Sequence, residues 1–295
     1  MGVEIRGLNV TIGGHAGSAR GGSGRDGSGR DGSGNAVVRD VDLTVGDGER
    51  VGLIGSSGSG KSMIAKSMLG LLPRGARVTG SIDLGGTEVI GASDRTLADL
   101  RGRYVGVVFQ NPGTSLNPVS TVAKQIELPL RLHYDLTASE RRDRVMAMLD
   151  KVGLTADVAG KYPHELSGGQ QQRVGIATAL ITSPRLIVAD EPTTALDSII
   201  QRQIVDLLVS LVDDAGASML FITHDFSVLA RATTRCYVID DGRVAEEGAT
   251  ADLLASPGTP IARELVDSAR RLTLSTVGSA HELSPAVPSD QGGAR

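Results

Sequence analysis

The sequence predicts an α/β fold in which a parallel-sheet core carries a small antiparallel β subdomain and an inserted α-helical subdomain. Three observations predict it. The runs 50–54 and 186–190 are short and apolar and end at glycine or acid, as parallel strands buried on both faces do. Residues 3–12 and 36–45 alternate apolar and polar side chains instead, as strands of an antiparallel sheet do. Between 111 and 165 the apolar spacing becomes helical.

Between the first two strands, residues 13–35 hold Gly22-Ser-Gly-Arg-Asp26, repeated as Gly27-Ser-Gly-Arg-Asp31. Such a stretch cannot bury a core and reads as a flexible insertion. A turn at 44–48 leads into the strand 50–54. That strand feeds Gly55-Ser56-Ser57-Gly58-Ser59-Gly60-Lys61-Ser62, which fits G-x-x-x-x-G-K-[ST]. Glycines let successive N–H groups face one concavity, where a side chain would block approach. Ile64, Met68, Leu69 and Leu72 have helical spacing over 61–72, so the loop opens a helix whose N-terminus favours an anion. Lys61 would reach the β- and γ-phosphates of a nucleotide, and Ser62 would ligate Mg²⁺. This is the core of a P-loop NTPase.

Residues 78–84 add a strand, and the run 104–109 ends at Gln110. The best helices of the insert are 121–132 and 139–152, with Met146, Leu149 and Val152 on one face of the latter. The run 186–190 closes on Asp190 and Glu191. Function collects at the carboxyl ends of parallel strands, so Asp190 is placed to hold Mg²⁺, through water, and Glu191 to orient or deprotonate the attacking water. Residues 198–212 read as an amphipathic helix with Ile200, Ile204, Leu207, Leu208 and Leu211 inward. Strands are expected at 218–223, 235–240 and 243–248, then two short helices over 249–271. The Ser, Pro, Ala and Gly content after 271 predicts a disordered tail.

Leu166-Ser167-Gly168-Gly169-Gln170-Gln-Gln-Arg173 resembles the signature of ATP-binding-cassette (ABC) ATPases. The resemblance covers 3–12 and 36–271, with every motif in the family's order, and implies an ABC-type ATPase domain over 1–248. In that family two cassettes close head to tail around two ATP molecules. Ser167, Gly168, Gly169 and Gln170 would then open a helix that meets the γ-phosphate held by the partner cassette. Gln110 matches the glutamine that contacts Mg²⁺ and relays nucleotide state. Ala195-Leu196-Asp197 matches the loop that touches the partner. His224 matches the switch histidine at the γ-phosphate. Ile12 stands where the family often stacks an aromatic ring on adenine, and an isoleucine can still pack against a base.

The stretches 109–118, 166–173 and 189–197 are similar to ATPases of peptide and nickel importers. That branch implies a second ABC ATPase subunit, two integral membrane permease subunits, and an extracellular solute-binding protein reached only through them. It implies residence at the cytoplasmic face of the cell membrane. A soluble accessory ATPase, such as one serving carbon–phosphorus lyase, is the alternative. Composition limits the rest. A net charge of −4 gives no case for nucleic acid, and no apolar run reaches the length of a membrane span. With one cysteine, Cys236, the chain builds neither a disulfide framework nor an iron–sulfur site. His133 and His164 are isolated and read as structural.

Overall fold

A computed structural model describes residues 2–13, 34–194 and 196–279, with side chains to Arg271. The first half of the chain forms β1 (Val3–Ile12), β2 (Asn35–Val45), β3 (Arg50–Gly55), α1 (Lys61–Met68), β4 (Ala76–Leu84), β5 (Thr87–Glu88), α2 (Asp94–Arg103) and β6 (Val105–Val108). Four helices follow: α3 (Pro112–Ser115), α4 (Val122–His133), α5 (Ala138–Lys151) and α6 (Gly168–Leu180). The remainder forms β7 (Leu186–Asp190), α7 (Ser198–Asp214), β8 (Ser218–Thr223), α8 (Phe226–Ala232), β9 (Arg235–Asp240), β10 (Arg243–Ala249), α9 (Thr250–Ala255) and α10 (Pro260–Ser279).

The strands make two sheets. One is antiparallel in the order β2-β1-β4-β5. The other runs β10-β9-β3-β8-β7-β6, parallel throughout except for β10. Its parallel strands are buried on both faces, and their side chains alternate between two cores. Ile187, Ala189, Met219, Phe221 and Val238 enter a core shared with the helices α4 to α8. Leu186, Val188, Leu220, Ile222 and Ile239 enter a second core shared with α1 and the antiparallel sheet. A period of two sorts these residues, which is why the runs read as continuously apolar. Phe221 and Phe226 are fully buried, and each contributes about 2–3 kcal/mol by burial.

Local chemistry sets the helix ends. Thr137 and Glu140 form a capping box that starts α5, and Asp197 caps α7 by accepting from the Ile199 and Ile200 N–H groups. The expected helix over 61–72 stops at Met68, because Gly70 adopts the left-handed conformation (φ 61°) that ends a helix and Pro73 follows. Helix α2 was not anticipated. Ser93 caps it, yet it buries only Leu97 and shows no apolar stripe. The C-terminal helix passes the expected break at 271 and reaches Ser279. The residues from 272 to 279 are mostly weak helix formers but include no proline, and the prolines lie beyond the helix at 285 and 288. The predicted disorder of the last residues and the expected flexibility over 13–35 fall largely outside the described residues. No described helix is long and apolar enough to cross a membrane.

Candidate active site

Four neighbouring strands, β6, β7, β8 and β3, deliver the site from their carboxyl ends. Gln110 follows β6, Asp190 and Glu191 close β7, His224 follows β8, and residues 55–62 follow β3. Parallel order therefore gathers residues far apart in sequence at one edge of the sheet.

The loop 55–62 is braced from outside. Gly60 sits at φ 106°, and a Cβ there would stand 2.6 Å from the Val37 carbonyl oxygen, so only glycine fits. The Gly242 N–H donates to the Ser59 carbonyl at 3.0 Å. Lys61 is 4% exposed. Its Nζ donates to the Gly55 and Ser56 carbonyls, each at 2.8 Å, and lies 3.4 Å from Ser59 Oγ. Burial pulls the Lys61 pKa down, and the charges of Glu191 and Asp190 oppose that fall.

Ser62 Oγ donates to Asp190 Oδ1 at 3.1 Å. Burial pushes the Asp190 pKa up and the neighbouring Glu191 adds to the rise, while the Ser62 bond works against it. A hydroxyl beside a partly buried carboxylate suits a hard cation such as Mg²⁺. Among the described residues no group of three or more His, Cys, Asp or Glu is placed to hold a metal. A cation held by these two groups would need further oxygen ligands.

Glu191 has the most contacts of the set. Its backbone is left-handed (φ 47°), an unusual conformation for a side chain of this kind, and its N–H is held by the Ile222 carbonyl at 2.9 Å. Oε2 accepts from Gln110 Nε2 at 2.9 Å and from Thr194 Oγ1 at 3.0 Å. Oε1 lies 3.3 Å from His224 Nδ1. Thr194 was not among the expected site residues. The only signal for it was its place three residues after an acid that ends a buried strand.

The second set of expected residues lies apart. Ser167 caps α6: its Oγ accepts from the Gln170 N–H at 3.3 Å, and Gln170 Oε1 accepts from the Ser167 N–H at 3.0 Å. Gly168 is exposed, so its N–H opens the helix toward solvent. Asp197 spends one carboxylate oxygen on the Ile199 and Ile200 N–H groups at 3.1 and 3.0 Å. Ile12 ends β1 opposite Asn35 and Ala76. Among the described residues no hydrogen bond or ion pair joins Ser167, Gly168, Gly169, Gln170, Asp197 or Ile12 to Lys61 or Glu191. Ala195 lies outside the described residues. Three other residues have structural surroundings. The His133 carbonyl accepts from Arg103, the His164 ring stacks on Tyr162 with centroids 5.8 Å apart, and burial pushes the Cys236 thiol up to about 11.

Comparison with known proteins gives a consistent result. The ABC transporter family matches residues 38–194, more than half the chain. A Brucella ovis protein named "Putative peptide import ATP-binding protein" is 44% identical over 247 residues, covering 80% of this chain and 72% of its own. The oligopeptide transport ATP-binding protein OppD of Lactococcus lactis is 40% identical over 234 residues, covering 78% of this chain and 69% of its own. OppD of Mycobacterium tuberculosis is 42% identical over 238 residues, which cover 80% of this chain but only 39% of that longer protein. Among solved structures, the dimeric ATP-binding cassette MJ0796 in a post-hydrolysis state with ADP and Pi superposes with a TM-score of 0.70 at 31% identity, over 84% of this chain and 98% of that one. The cbiO1 structure from Clostridium perfringens gives a TM-score of 0.70 at 24% identity, over 95% of this chain and 98% of that one, a likeness of fold.

Proposed function

The chain belongs to the ABC transporter family and is an ATPase, and from that premise we propose that it drives a peptide importer from the cytoplasmic face of the cell membrane. The observation that carries the catalytic reading is the meeting of Gln110, Thr194 and His224 on the Glu191 carboxylate, beside Lys61 and Ser62. The names of the relatives from Brucella ovis and Lactococcus lactis carry the choice of peptide as cargo. None of the relatives named above is an accessory ATPase.

The residues divide the work as follows. Residues 55–60 offer backbone N–H groups to the phosphates. Lys61 exchanges the Gly55 and Ser56 carbonyls for β- and γ-phosphate oxygens. Ser62 and Asp190 would hold Mg²⁺, which would offset charge that develops on the transferring phosphoryl group. Glu191 orients the attacking water and accepts its proton. His224 holds the γ-phosphate and the water in line. Ser167, Gly168 and Gly169 of a second cassette complete the site from the far side, and Asp197 touches that cassette. Catalysis is positioning plus charge stabilisation, with no covalent intermediate. Loss of γ-phosphate contacts reopens the pair, and Gln110 passes that change to two membrane permease subunits through the helices α4 and α5.

Affinity capture of tagged Glu191→Gln protein from detergent-solubilised native cells with ATP tests the reading. Recovery of two polytopic membrane proteins and a second cassette ATPase is the expected result. Recovery of soluble enzymes alone would remove transport.

A further inference from the structure

Gln172 lies in α6, four residues beyond Gly168 and three beyond Gly169, so the three positions share one face of the helix. That face is turned toward α7 and the segment before it. A Cβ at Gly168 would stand 3.6 Å from Leu196 Cδ2, and one at Gly169 would stand 3.0 Å from Ile200 Cγ2. Gln172 is 1% exposed. Among the described residues, its Nε2 is the one fully buried side-chain nitrogen or oxygen with no hydrogen-bond partner.

The flanking side chains are already engaged. Gln171 Nε2 donates to the Pro163 carbonyl at 2.9 Å and the Leu166 carbonyl at 3.2 Å, and Arg173 donates to the Val152 carbonyl at 2.6 Å. On the facing side, Thr193 is 5% exposed and its Oγ1 accepts from Gln201 Nε2 at 3.2 Å. A hydroxyl oxygen can accept a second bond. An orphaned buried amide destabilises the arrangement that holds it, and leucine or methionine would avoid the cost. Its presence makes sense where a second arrangement satisfies it.

Gln172 lies one helical turn beyond Gly168, in the helix whose N-terminus would receive a second cassette's ATP. The same face meets Leu196, in the chain that follows Glu191. We propose that Gln172 is a positioning residue whose Nε2 donates to Thr193 Oγ1, in the segment that follows Glu191, when two cassettes close on ATP. The bond locks α6 against that segment only in the closed pair. It thereby ties the placement of Ser167, Gly168 and Gly169 to that of Glu191. This inference rests on the two-cassette closure described above.

The test is Gln172→Met, which keeps side-chain volume and removes the amide, with Gln172→Leu as a second apolar variant should the first fail to fold. Two readouts are expected to move in opposite directions. Thermal unfolding without nucleotide holds or rises, because the orphaned amide is gone. ATP-dependent dimerisation, measured by light scattering in a Glu191→Gln background, weakens by about tenfold. Unchanged dimer affinity in Gln172→Met overturns the inference and leaves closure standing. A fall in thermal stability matched by the loss of dimer also overturns it, since a purely structural role predicts that. Failure of Glu191→Gln alone to dimerise with ATP overturns the closure reading, and this inference with it.

Discussion

Gln110 donates to Glu191 across the carboxyl ends of two adjacent strands, Nε2 to Oε2 at 2.9 Å. The same oxygen is held by Thr194, while the other faces His224. One carboxylate oxygen is thus anchored, and in the proposed mechanism its twin serves the attacking water. A base whose orientation is fixed before substrate arrives spends no reorganisation at the moment of reaction.

Glu191→Gln is therefore expected to lower kcat by roughly 10²–10⁴ while ATP affinity stays within a few fold, because the amide keeps the shape but cannot take the proton. Phosphate release and nucleotide titration calorimetry measure the two quantities. Turnover near the parent rate would remove the base role from Glu191.

Thr194→Val removes one of the two anchors on Oε2 without opening a cavity. The expected result is a kcat lower by roughly 3–30-fold at unchanged KM, in keeping with the loss of one hydrogen bond to a charged group. A raised KM at unchanged kcat would mean that Thr194 serves nucleotide binding instead.

Much of this site was legible in the sequence, for a physical reason. The loop 55–62 and the pair Asp190-Glu191 are contiguous, and their chemistry depends on neighbours in the chain. The meeting of Gln110 and His224 on Glu191 depends on the order β6-β7-β8, which no local pattern states. The family's motif order supplied those positions beforehand. Thr194 escaped because its bond to Glu191, three residues back, depends on how the chain turns after β7, and Gln172 because its burial depends on packing that no local pattern states. In the scaffold, strands buried on both faces were evident as apolar runs. Helix α2 was not, since it buries one residue and half of its ten positions are charged.

Asp190→Asn tests the electrostatics of the site. Burial holds the Asp190 carboxyl above its ordinary 3.8, so the folded chain binds this proton more tightly than the unfolded chain does. Ionised Asp190 therefore destabilises the fold above the folded pKa, and the penalty fades as pH falls through that value. Without nucleotide, the Asn variant is expected to melt a few degrees higher at pH 7–8, with the gap closing toward pH 4. Its ATPase activity is expected to fall steeply. A lower melting temperature at pH 8, followed by scanning calorimetry, would contradict the raised pKa.

Glu49 has the opposite sign. The Arg235 guanidinium bonds it at 2.7 and 2.9 Å and, with other hydrogen bonds, holds its carboxyl below the usual range. Arg235 also reaches the Thr44 carbonyl at 2.9 Å, so the pair links the parallel sheet to β2. The stability it contributes is full above the ordinary value of 4.5 and is lost as pH falls through the lower folded value. Glu49→Gln should cost about 1 kcal/mol at pH 7 after allowance for solvent screening, with the difference narrowing below about pH 4. Urea titrations at several pH values measure it, and a cost that grows on acidification would reject the assignment.

Ile12 pairs with Asn35, so the chain leaves the antiparallel sheet and rejoins it at the same rung. Within four residues of rejoining, the Arg39 N–H donates to the Gly242 carbonyl at 2.7 Å, and Gly242 in turn grips Ser59. The phosphate loop is thus tied to a point downstream of that rung. The entropy of closing such a bridge grows only logarithmically with its length. Residues can be added or removed between the two ends without lengthening any lever that bears on Lys61. Because the tie from Arg39 through Gly242 to Ser59 is made outside that connection, sequence added there, such as a tag or a reporter, is expected to leave the tie as it was.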